Sequence, residues 1–508
     1  MEVGGGLGVN PVTVYSGALV CAAAYLVNLG IDDLREHGRV SILHWPLLAR
    51  SFSGATLVQL FLLWISCNIV LVVANGGFRL WRSGRAALLK NGTLYLWNYG
   101  WLLAGVALHT AMVVVPSWVG YQVDLPASAM CALCFEQVRL LMKSYAYLRE
   151  HVKGALALPP QDTDDSLGHL VYFLFAPTLV YRDSYERTPR VRFGVAVAHG
   201  AVFLLTVFTM VVAAGRGALR PFCGGEDAVL LDAWGLSGPP RLAFQLGVIV
   251  VRATPAGAVI AVGTALAMHS WHTVFAELLR YPSIGFTKPW WNAPSYTVFF
   301  RHWNMFVKAW LYTYVFKELL TRGHSSTAAK MITIVLSAFW HEYILAVSLG
   351  YIIPYCALTY VCTAAIVIPD PLGLQKNLRG NIFVLLTLSG GIASLIAFYF
   401  AESTARLHCR ATSASIIVQR SESAHSKKRF ADSVTSGRQN ENITRTATPS
   451  NRSSGPLLGL QNYSVRINGS MLAPSGAGLH LRNRMLAWDI FVPQSLTCEQ
   501  PFKNCTFL

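Results

Sequence analysis

The chain has 508 residues, of which 53% are hydrophobic and only 13% are charged, and its formal net charge is +16. A soluble globular protein carries about 25% charged residues, so this composition excludes a water-soluble globular protein and indicates a polytopic membrane protein. The basic residues lie in short loops between apolar segments. That placement favours anionic lipid headgroups and the cytosolic bias of basic loops over nucleic acid as the reason for the charge.

Nine predominantly apolar segments predict an all-α protein with about nine transmembrane helices. They are residues 12–30, 54–76, 95–117, 124–142, 193–214, 242–268, 328–351, 354–369 and 380–401. The fourth is the most polar, because it contains Asp124, Glu136 and Arg139. A further helix over about 302–320 is aromatic and amphipathic, so we place it inside the protein near the interface rather than against lipid.

Charge and composition divide the chain into four parts. The bias of basic loops toward the cytosol predicts a short cytosolic N-terminus, 1–11, before a transmembrane domain, 12–410. Residues 411–485 are rich in Ser, Arg and Asn without apolar periodicity, which predicts a disordered insertion. An odd number of spans then predicts that the last segment, 486–508, is lumenal.

The strongest chemical signal is His341-Glu342 in the middle of an apolar span. An ionisable side chain at membrane depth indicates a functional residue, and a neutral imidazole is what a general base requires. The alternative is a histidine that only hydrogen-bonds neighbouring helices. Glu342 could orient His341 or pair with an arginine, and the sequence does not separate these roles.

A segment dense in aromatic residues precedes this span. Asn304 offers an uncharged amide that could stabilise an oxyanion, although an asparagine at a helix start is commonly a cap. The tryptophans could form an acyl-chain pocket or an interfacial belt. The cationic residues could bind phosphates or lie at the membrane surface. They are Arg301, His302, Lys308 and Lys317.

Cys131 and Cys134 form a CxxC pair in an apolar helical stretch. No histidine or second pair accompanies them, so we interpret them as packing residues and predict no metal site.

Residues 267–350 resemble the membrane-bound O-acyltransferases, in particular the sterol O-acyltransferases. The family's F-Y-x-D-W-W-N motif stands here as residues 286–292, its Trp-Asn pair as Trp303-Asn304, and its H-E-Y as His341-Glu342-Tyr343. Two further stretches, 136–143 and 175–189, favour the sterol branch. Thr287 and Pro289 replace the motif's Tyr and Asp, and Lys308 stands where His is usual.

The resemblance implies a buried catalytic chamber that transfers a fatty acyl group from acyl-CoA to the 3β-hydroxyl of a sterol, forming sterol esters in the endoplasmic reticulum membrane. His341 would be the general base and Asn304 would hold the thioester or oxyanion, supported by Glu342, Ser337 and Trp303. The residues implied to bind acyl-CoA and substrate are Phe286, Trp290, Trp291, Asn292, Phe299, Phe300, Arg301 and Lys308. Acyl-CoA is a substrate, so no cofactor and no metal are expected.

The resemblance also implies partners and a disulfide. The expected partners are acyl-CoA, a sterol and membrane lipid, without nucleic acid. We expect a homodimer, and the short N-terminus argues against a higher assembly. Cys409 and Cys498 match the family's lumenal cysteine pair and are expected to form a disulfide.

Three other functions remain open. The same chemistry could act on diacylglycerol, a long-chain alcohol or a retinoid. A transporter could use His341 as a proton relay, although no pair of broken helices recurs in two halves of the sequence. An inactive family member is the third.

Overall fold

The computed structural model describes residues 11–38, 40, 46–88, 93–157, 165–215, 238–282, 285–286, 288–367, 378–400, 402–403 and 406. This part contains helices and no strand. The predictions for residues 1–10, for 411–485 and 486–508, and for a Cys409–Cys498 disulfide fall outside it.

Fourteen helices follow one another within these residues. They are α1 (Pro11–His37), α2 (Pro46–Ser51), α3 (Gly54–Leu88), α4 (Leu94–Gln122), α5 (Ala127–Leu156), α6 (Leu167–Phe175), α7 (Phe193–Val212), α8 (Gly238–Leu278), α9 (Tyr296–His302), α10 (Met305–Leu311), α11 (Lys317–Thr321), α12 (Ser326–Leu349), α13 (Tyr355–Val367) and α14 (Leu378–Phe400). A 3₁₀ turn, Trp290–Asn292, precedes α9, and a π-helical turn, Tyr312–Phe316, joins α10 to α11.

Seven helices of the described part are long and apolar enough to cross a membrane: α1, α3, α4, α7, α8, α12 and α14. Each overlaps one of the nine predicted spans, so the polytopic all-α prediction is confirmed while the count of nine is not. The predicted span 124–142 lies in α5, which is 30 residues long. Its apolar stretches are interrupted by polar side chains that are buried inside the protein, among them Gln137 and Lys143. Within the predicted span 354–369 the structure describes α13 up to Val367, and these 13 residues reach about 20 Å.

The largest core lies where α3, α4, α5 and α12 pack together. Its fully buried members include Cys67, Leu133, Leu140 and Phe173. Helix α5 is central to this bundle because it contacts α3, α4 and α12. We call this part of the molecule the α5 bundle.

A second group of helices consists of α7, α8 and α14. Helix α7 runs along α8. Helix α14 approaches α8 so closely at Gly257 that any side chain there would collide with the backbone of Ser389 and Ala393. Glycine is therefore required at this crossing, because only a residue without Cβ lets the two backbones meet.

Local sequence signals explain the bounds of α12, the helix that carries His341. The Ser325 hydroxyl caps its first turn by accepting a hydrogen bond from the N–H of Ala328 at 3.2 Å. Gly350 ends the helix in the left-handed region, at φ 79°. Both residues are those that these positions favour.

The helix predicted over 302–320 is present from Met305 to Thr321. Asn304 leaves the helical region, at φ −126° and ψ 87°, and separates α9 from α10. The middle turn is π-helical, and Leu311 and Lys317 on either side of it keep right-handed helical dihedrals. The aromatic periodicity predicted the helix correctly, but it did not reveal the break at Asn304, which is stabilised by the side chain of Asn304 itself.

Candidate active site

His341 lies in the middle of α12, with its ring beside Tyr360 of α13 at a centroid distance of 5.0 Å. Its Nδ1 lies 2.7 Å from the carbonyl oxygen of Ser337, and its side chain is exposed. A carbonyl can only accept a hydrogen bond, so Nδ1 carries the hydrogen and a neutral ring keeps its lone pair on Nε2. The imidazole is therefore in the tautomer that can take a proton at Nε2.

Glu342 is buried and faces neighbouring helices. One carboxylate oxygen accepts from the Tyr399 hydroxyl at 2.6 Å, and the other accepts from the N–H of Ala357 at 3.0 Å. Ala357 is in the first turn of α13, where an anion is favoured by the unpaired N–H groups. Among the described contacts Glu342 neither orients His341 nor pairs with an arginine; it connects α12 to α13 and to the end of α14.

Asn304 is the N-cap of α10. Its Oδ1 accepts a hydrogen bond from the N–H of Val307 at 3.1 Å. Within the described residues its Nδ2 group has no partner, so two amide hydrogens remain to donate. The structural and the chemical interpretations of this residue are therefore compatible, because the cap uses the oxygen and fixes the direction of the nitrogen.

Three of the aromatic residues predicted to bind or support substrate pack against one another. Trp290 meets Trp303 edge to face at 4.9 Å, and Phe299 stacks on Trp303 at 5.1 Å. Trp290 and Phe299 are only 2% and 3% exposed. They form a closed core with Ala265 of α8 and Val384 of α14. These rings thus form a wall of the site region rather than an open acyl pocket.

The other predicted binding residues lie around this core. Phe286 is buried, with its ring 5.1 Å from that of His272 on α8. Asn292, Phe300 and Arg301 are exposed. Trp291 packs edge to face on Tyr15 of α1, at 5.6 Å.

The core is distinguished by hydrogen-bond donors without acceptors. Trp290 Nε1 and Trp291 Nε1 are buried and have no hydrogen-bond partner within the part of the chain that the structure describes. An unpaired buried donor costs about 1–3 kcal/mol. Two adjacent tryptophans of this segment therefore have donors that the described residues do not satisfy.

Cationic side chains surround the same segment. Lys308 donates from Nζ to the carbonyl of Arg301 at 3.1 Å. Burial, together with the nearby charges of Lys288 and Arg301, holds the pKa of Lys308 below its usual value. Burial also lowers the pKa of His302, as do the positive charges of Lys288, Lys308 and Arg301. Mutual repulsion of this kind indicates a positive surface suited to a phosphate-bearing ligand.

His341 and Asn304 are connected in the structure by the helical elements that lie between them. Asn304 caps α10, which continues into the π-helical turn, and this turn packs on α12. No direct contact between the two side chains is present among the described residues. Such π turns are frequent at functional sites.

Several residues near these elements were not singled out by the sequence. Tyr360 lies beside the His341 ring, and Tyr343 donates its hydroxyl hydrogen bond to the fully buried Gln137 at 2.9 Å. Asn381 donates to the carbonyls of Trp291 and Ala293 and so holds the aromatic segment on α14. Gln137 had one detectable signal, a polar amide in an apolar stretch. Among the described residues no group of three or more His, Cys, Asp or Glu side chains could hold a metal ion.

Comparison with known proteins identifies the family. Residues 243–370 match the model of the membrane-bound O-acyltransferase family. Sterol O-acyltransferase 2 of Rattus norvegicus is 30% identical over 409 residues, covering 78% of this chain and 74% of the relative. Sterol O-acyltransferase 1 of Mus musculus is 30% identical over 78% of this chain and 72% of the relative. Sterol O-acyltransferase 2 of Homo sapiens is 29% identical over 81% and 77%. The chain therefore belongs to the membrane-bound O-acyltransferase family, in its sterol O-acyltransferase group.

Proposed function

We propose that this protein transfers a fatty acyl group from acyl-CoA to the 3β-hydroxyl of a sterol, forming a sterol ester in the endoplasmic reticulum membrane. The observation that carries the proposal is the state of His341. Its Nδ1 is occupied by the Ser337 carbonyl at 2.7 Å, which leaves Nε2 as an available base in the middle of a membrane-spanning helix. The similarity to sterol O-acyltransferases supports the choice of substrates.

His341 Nε2 removes the proton of the sterol hydroxyl as the oxygen attacks the carbonyl carbon of the thioester. The resulting tetrahedral intermediate collapses, the carbon–sulfur bond breaks, and the imidazolium returns its proton to the departing thiolate of coenzyme A. The sterol oxygen attacks the thioester directly, so no acyl-enzyme forms, and the products are a sterol ester and free coenzyme A. Imidazole is suited to both steps because one ring nitrogen can act as base and then as acid.

Asn304 stabilises the charge that develops on the thioester oxygen. Its Nδ2 donates to the oxyanion while Oδ1 stays bonded to the N–H of Val307. This hydrogen bond holds the donor in place before the reaction, which is the condition under which oxyanion stabilisation is strongest.

The cationic segment binds the phosphates of acyl-CoA. Lys288, Arg301 and Lys308 supply positive charge. In this proposal the chemistry draws on no metal or cofactor, because imidazole, amide and cations carry every step. The proposal includes a homodimer, which rests on the family resemblance.

The test is formation of labelled sterol ester from labelled oleoyl-CoA in microsomes of cells that lack their own sterol acyltransferase. We expect ester formation by the wild-type chain and not by the His341→Ala variant at equal protein level. Diacylglycerol and a long-chain alcohol are offered in parallel. Preferred acylation of either one, with none of the sterol, would replace the proposed acceptor, and no acylation of any acceptor would indicate an inactive member.

A further inference from the structure

The residues His341, Glu342 and Tyr343 point in three directions from α12, because consecutive residues of a helix are about 100° apart. Glu342 is bonded to α13 and to Tyr399, and Tyr343 is bonded to Gln137 of α5. Two neighbours of His341 are thus tied to different helices. The rotation of α12 about its own axis, and with it the direction of the imidazole, depends on these ties.

The position of Gln137, the partner of Tyr343, is related to a proline in α4. Pro116 lies inside α4 and has no N–H, so the carbonyl of Met112, four residues earlier, lacks its helical donor. Gln137 supplies the missing donor from α5. Its Nε2 donates to the carbonyls of Met112 and Val113 at 3.1 and 3.0 Å.

These bonds fix which way the Gln137 amide faces. Carbonyl oxygens only accept, so the amide nitrogen must face the carbonyls of Met112 and Val113. The amide oxygen then accepts from the Tyr343 hydroxyl at 2.9 Å and from the Ser117 hydroxyl of α4 at 3.3 Å. Gln137 is fully buried, so no water competes for either side of its amide.

We infer that Gln137 is a positioning residue for His341, acting through Tyr343. The amide bridges the turn of α4 that contains Pro116 and the Tyr343 hydroxyl of α12, and this bridge holds α12 in one rotational position. A second bond holds α4 and α12 in the same relative position, because the Tyr121 hydroxyl near the end of α4 donates to the carbonyl of Val347 in α12. This inference rests on the proposed role of His341 and adds the device that aims it.

The geometry predicts a particular kinetic effect. Loss of the Tyr343–Gln137 bond leaves packing and the other bonds of α12 in place but lets this part of the helix shift slightly, which misplaces the base relative to the sterol hydroxyl. Small misplacement of a catalytic group costs up to roughly 10²-fold in rate. The binding of acyl-CoA, which uses the aromatic and cationic segment, does not depend on this bond.

The experiment compares Tyr343→Phe with Tyr147→Phe. Tyr147 makes a matched bond, 2.8 Å to Oδ1 of Asn75, but joins α5 to α3 rather than to α12. We expect Tyr343→Phe to lower kcat roughly 10- to 100-fold at nearly unchanged KM for acyl-CoA, and Tyr147→Phe to leave kcat near wild type. Wild-type kcat in Tyr343→Phe, or an equal loss in both variants, would overturn the inference.

A double-variant cycle separates positioning from stability. If Gln137 acts through Tyr343, Gln137→Leu combined with Tyr343→Phe should cost no more in kcat than the larger single change. Additive losses would overturn the proposed connection. If Gln137→Leu does not fold, Tyr343→Phe alone decides the question, because it removes one oxygen and keeps the ring.

A further readout is independent of the acceptor. In a His341→Cys background, the alkylation rate of the introduced thiol reports where position 341 faces. We expect Tyr343→Phe to change this rate several-fold and Tyr147→Phe to leave it unchanged. An unchanged rate in both would overturn the inference even if wild-type sterol esterification is demonstrated; a changed rate would support it even if another acceptor replaces the sterol.

Discussion

Buried polar groups are hydrogen-bonded in the α5 bundle, whereas some buried donors of the aromatic segment 286–303 are unpaired among the described residues. In the bundle, Lys143 donates to the carbonyls of Phe173, Leu174 and Ala176 at 2.5–2.8 Å, although it is 1% exposed. In the aromatic segment, buried donors such as Trp290 Nε1 have no acceptor in the described structure. A fully satisfied network stabilises and positions, whereas an unpaired buried donor lowers stability until a partner reaches it. We therefore expect the first region to contribute stability, and the second to be tested for contact with a ligand.

The largest expected effect is on His341. His341→Ala should lower the rate of ester formation by about 10²–10⁴-fold, because a general base contributes on that scale. His341→Gln is the matched variant, since it keeps a polar side chain but cannot cycle a proton. Ester formation in microsomes is measured at equal protein level, and near-normal rates in either variant would contradict the role of the imidazole.

Variants of Asn304 test whether one residue can both cap a helix and donate a hydrogen bond to the reacting substrate. Asn304→Ala should lower kcat roughly 10²–10³-fold, typical of one lost oxyanion donor. Asn304→Ser keeps an oxygen that can cap α10 but removes the amide donor. We expect both variants to lose kcat and only the alanine variant to lose thermal stability. Full kcat in Asn304→Ser would mean that Asn304 is only a cap.

Lys143 tests the stability assigned to the bundle. Lys143→Met should lower the free energy of unfolding by about 3 kcal/mol, because it leaves the carbonyls at the end of α6 unpaired. Lys153→Met on the same helix is the control, because Lys153 is exposed and its ion pair with Glu150 is long at 3.8 Å. Thermal unfolding of the purified protein in detergent measures both, and similar stability of the two variants would break the comparison.

Trp290 tests whether a ligand reaches the aromatic segment. Trp290→Phe removes the unpaired Nε1 donor and leaves a smaller ring in a closed core. If a ligand accepts from this donor, KM for acyl-CoA should rise about tenfold, equivalent to one hydrogen bond. The lost ring volume lowers thermal stability whether or not a ligand binds, so the KM decides. An unchanged KM would mean that no ligand accepts from this donor.

The smallest expected effect concerns Lys308 and pH. An ordinary lysine has a pKa of about 10.4. The pKa of Lys308 is lowered by burial and by the charges of Lys288 and Arg301, so Lys308 loses its charge at a lower pH. The cation attracts phosphate only when protonated, so KM for acyl-CoA should rise as pH increases through this lowered value. Lys308→Arg should remove the rise, because arginine stays charged. An identical pH profile in wild type and Lys308→Arg would exclude Lys308 from binding.

The candidate site residues were identified from the sequence, and their roles stay predictions. His341 stood out as an ionisable residue in an apolar span, and Asn304 as an amide beside the aromatic segment. Helix caps such as Ser325 and Gly350 follow local rules, so the bounds of α12 are close to those predicted. The partners of Glu342 were not visible, because Ala357 and Tyr399 lie 15 and 57 residues further along the chain.

The sequence by itself determined a polytopic helical protein, because apolar length and scarce charge depend only on composition and order. It also determined where the reactive residue types stand along the chain. Only the tertiary structure decided that Gln137 replaces the donor missing at Pro116 and that Trp290, Phe299 and Trp303 close into a core. Those outcomes depend on contacts between distant segments, and a polar residue in an apolar stretch has the same sequence pattern whether it positions a helix, stabilises the bundle or binds a substrate.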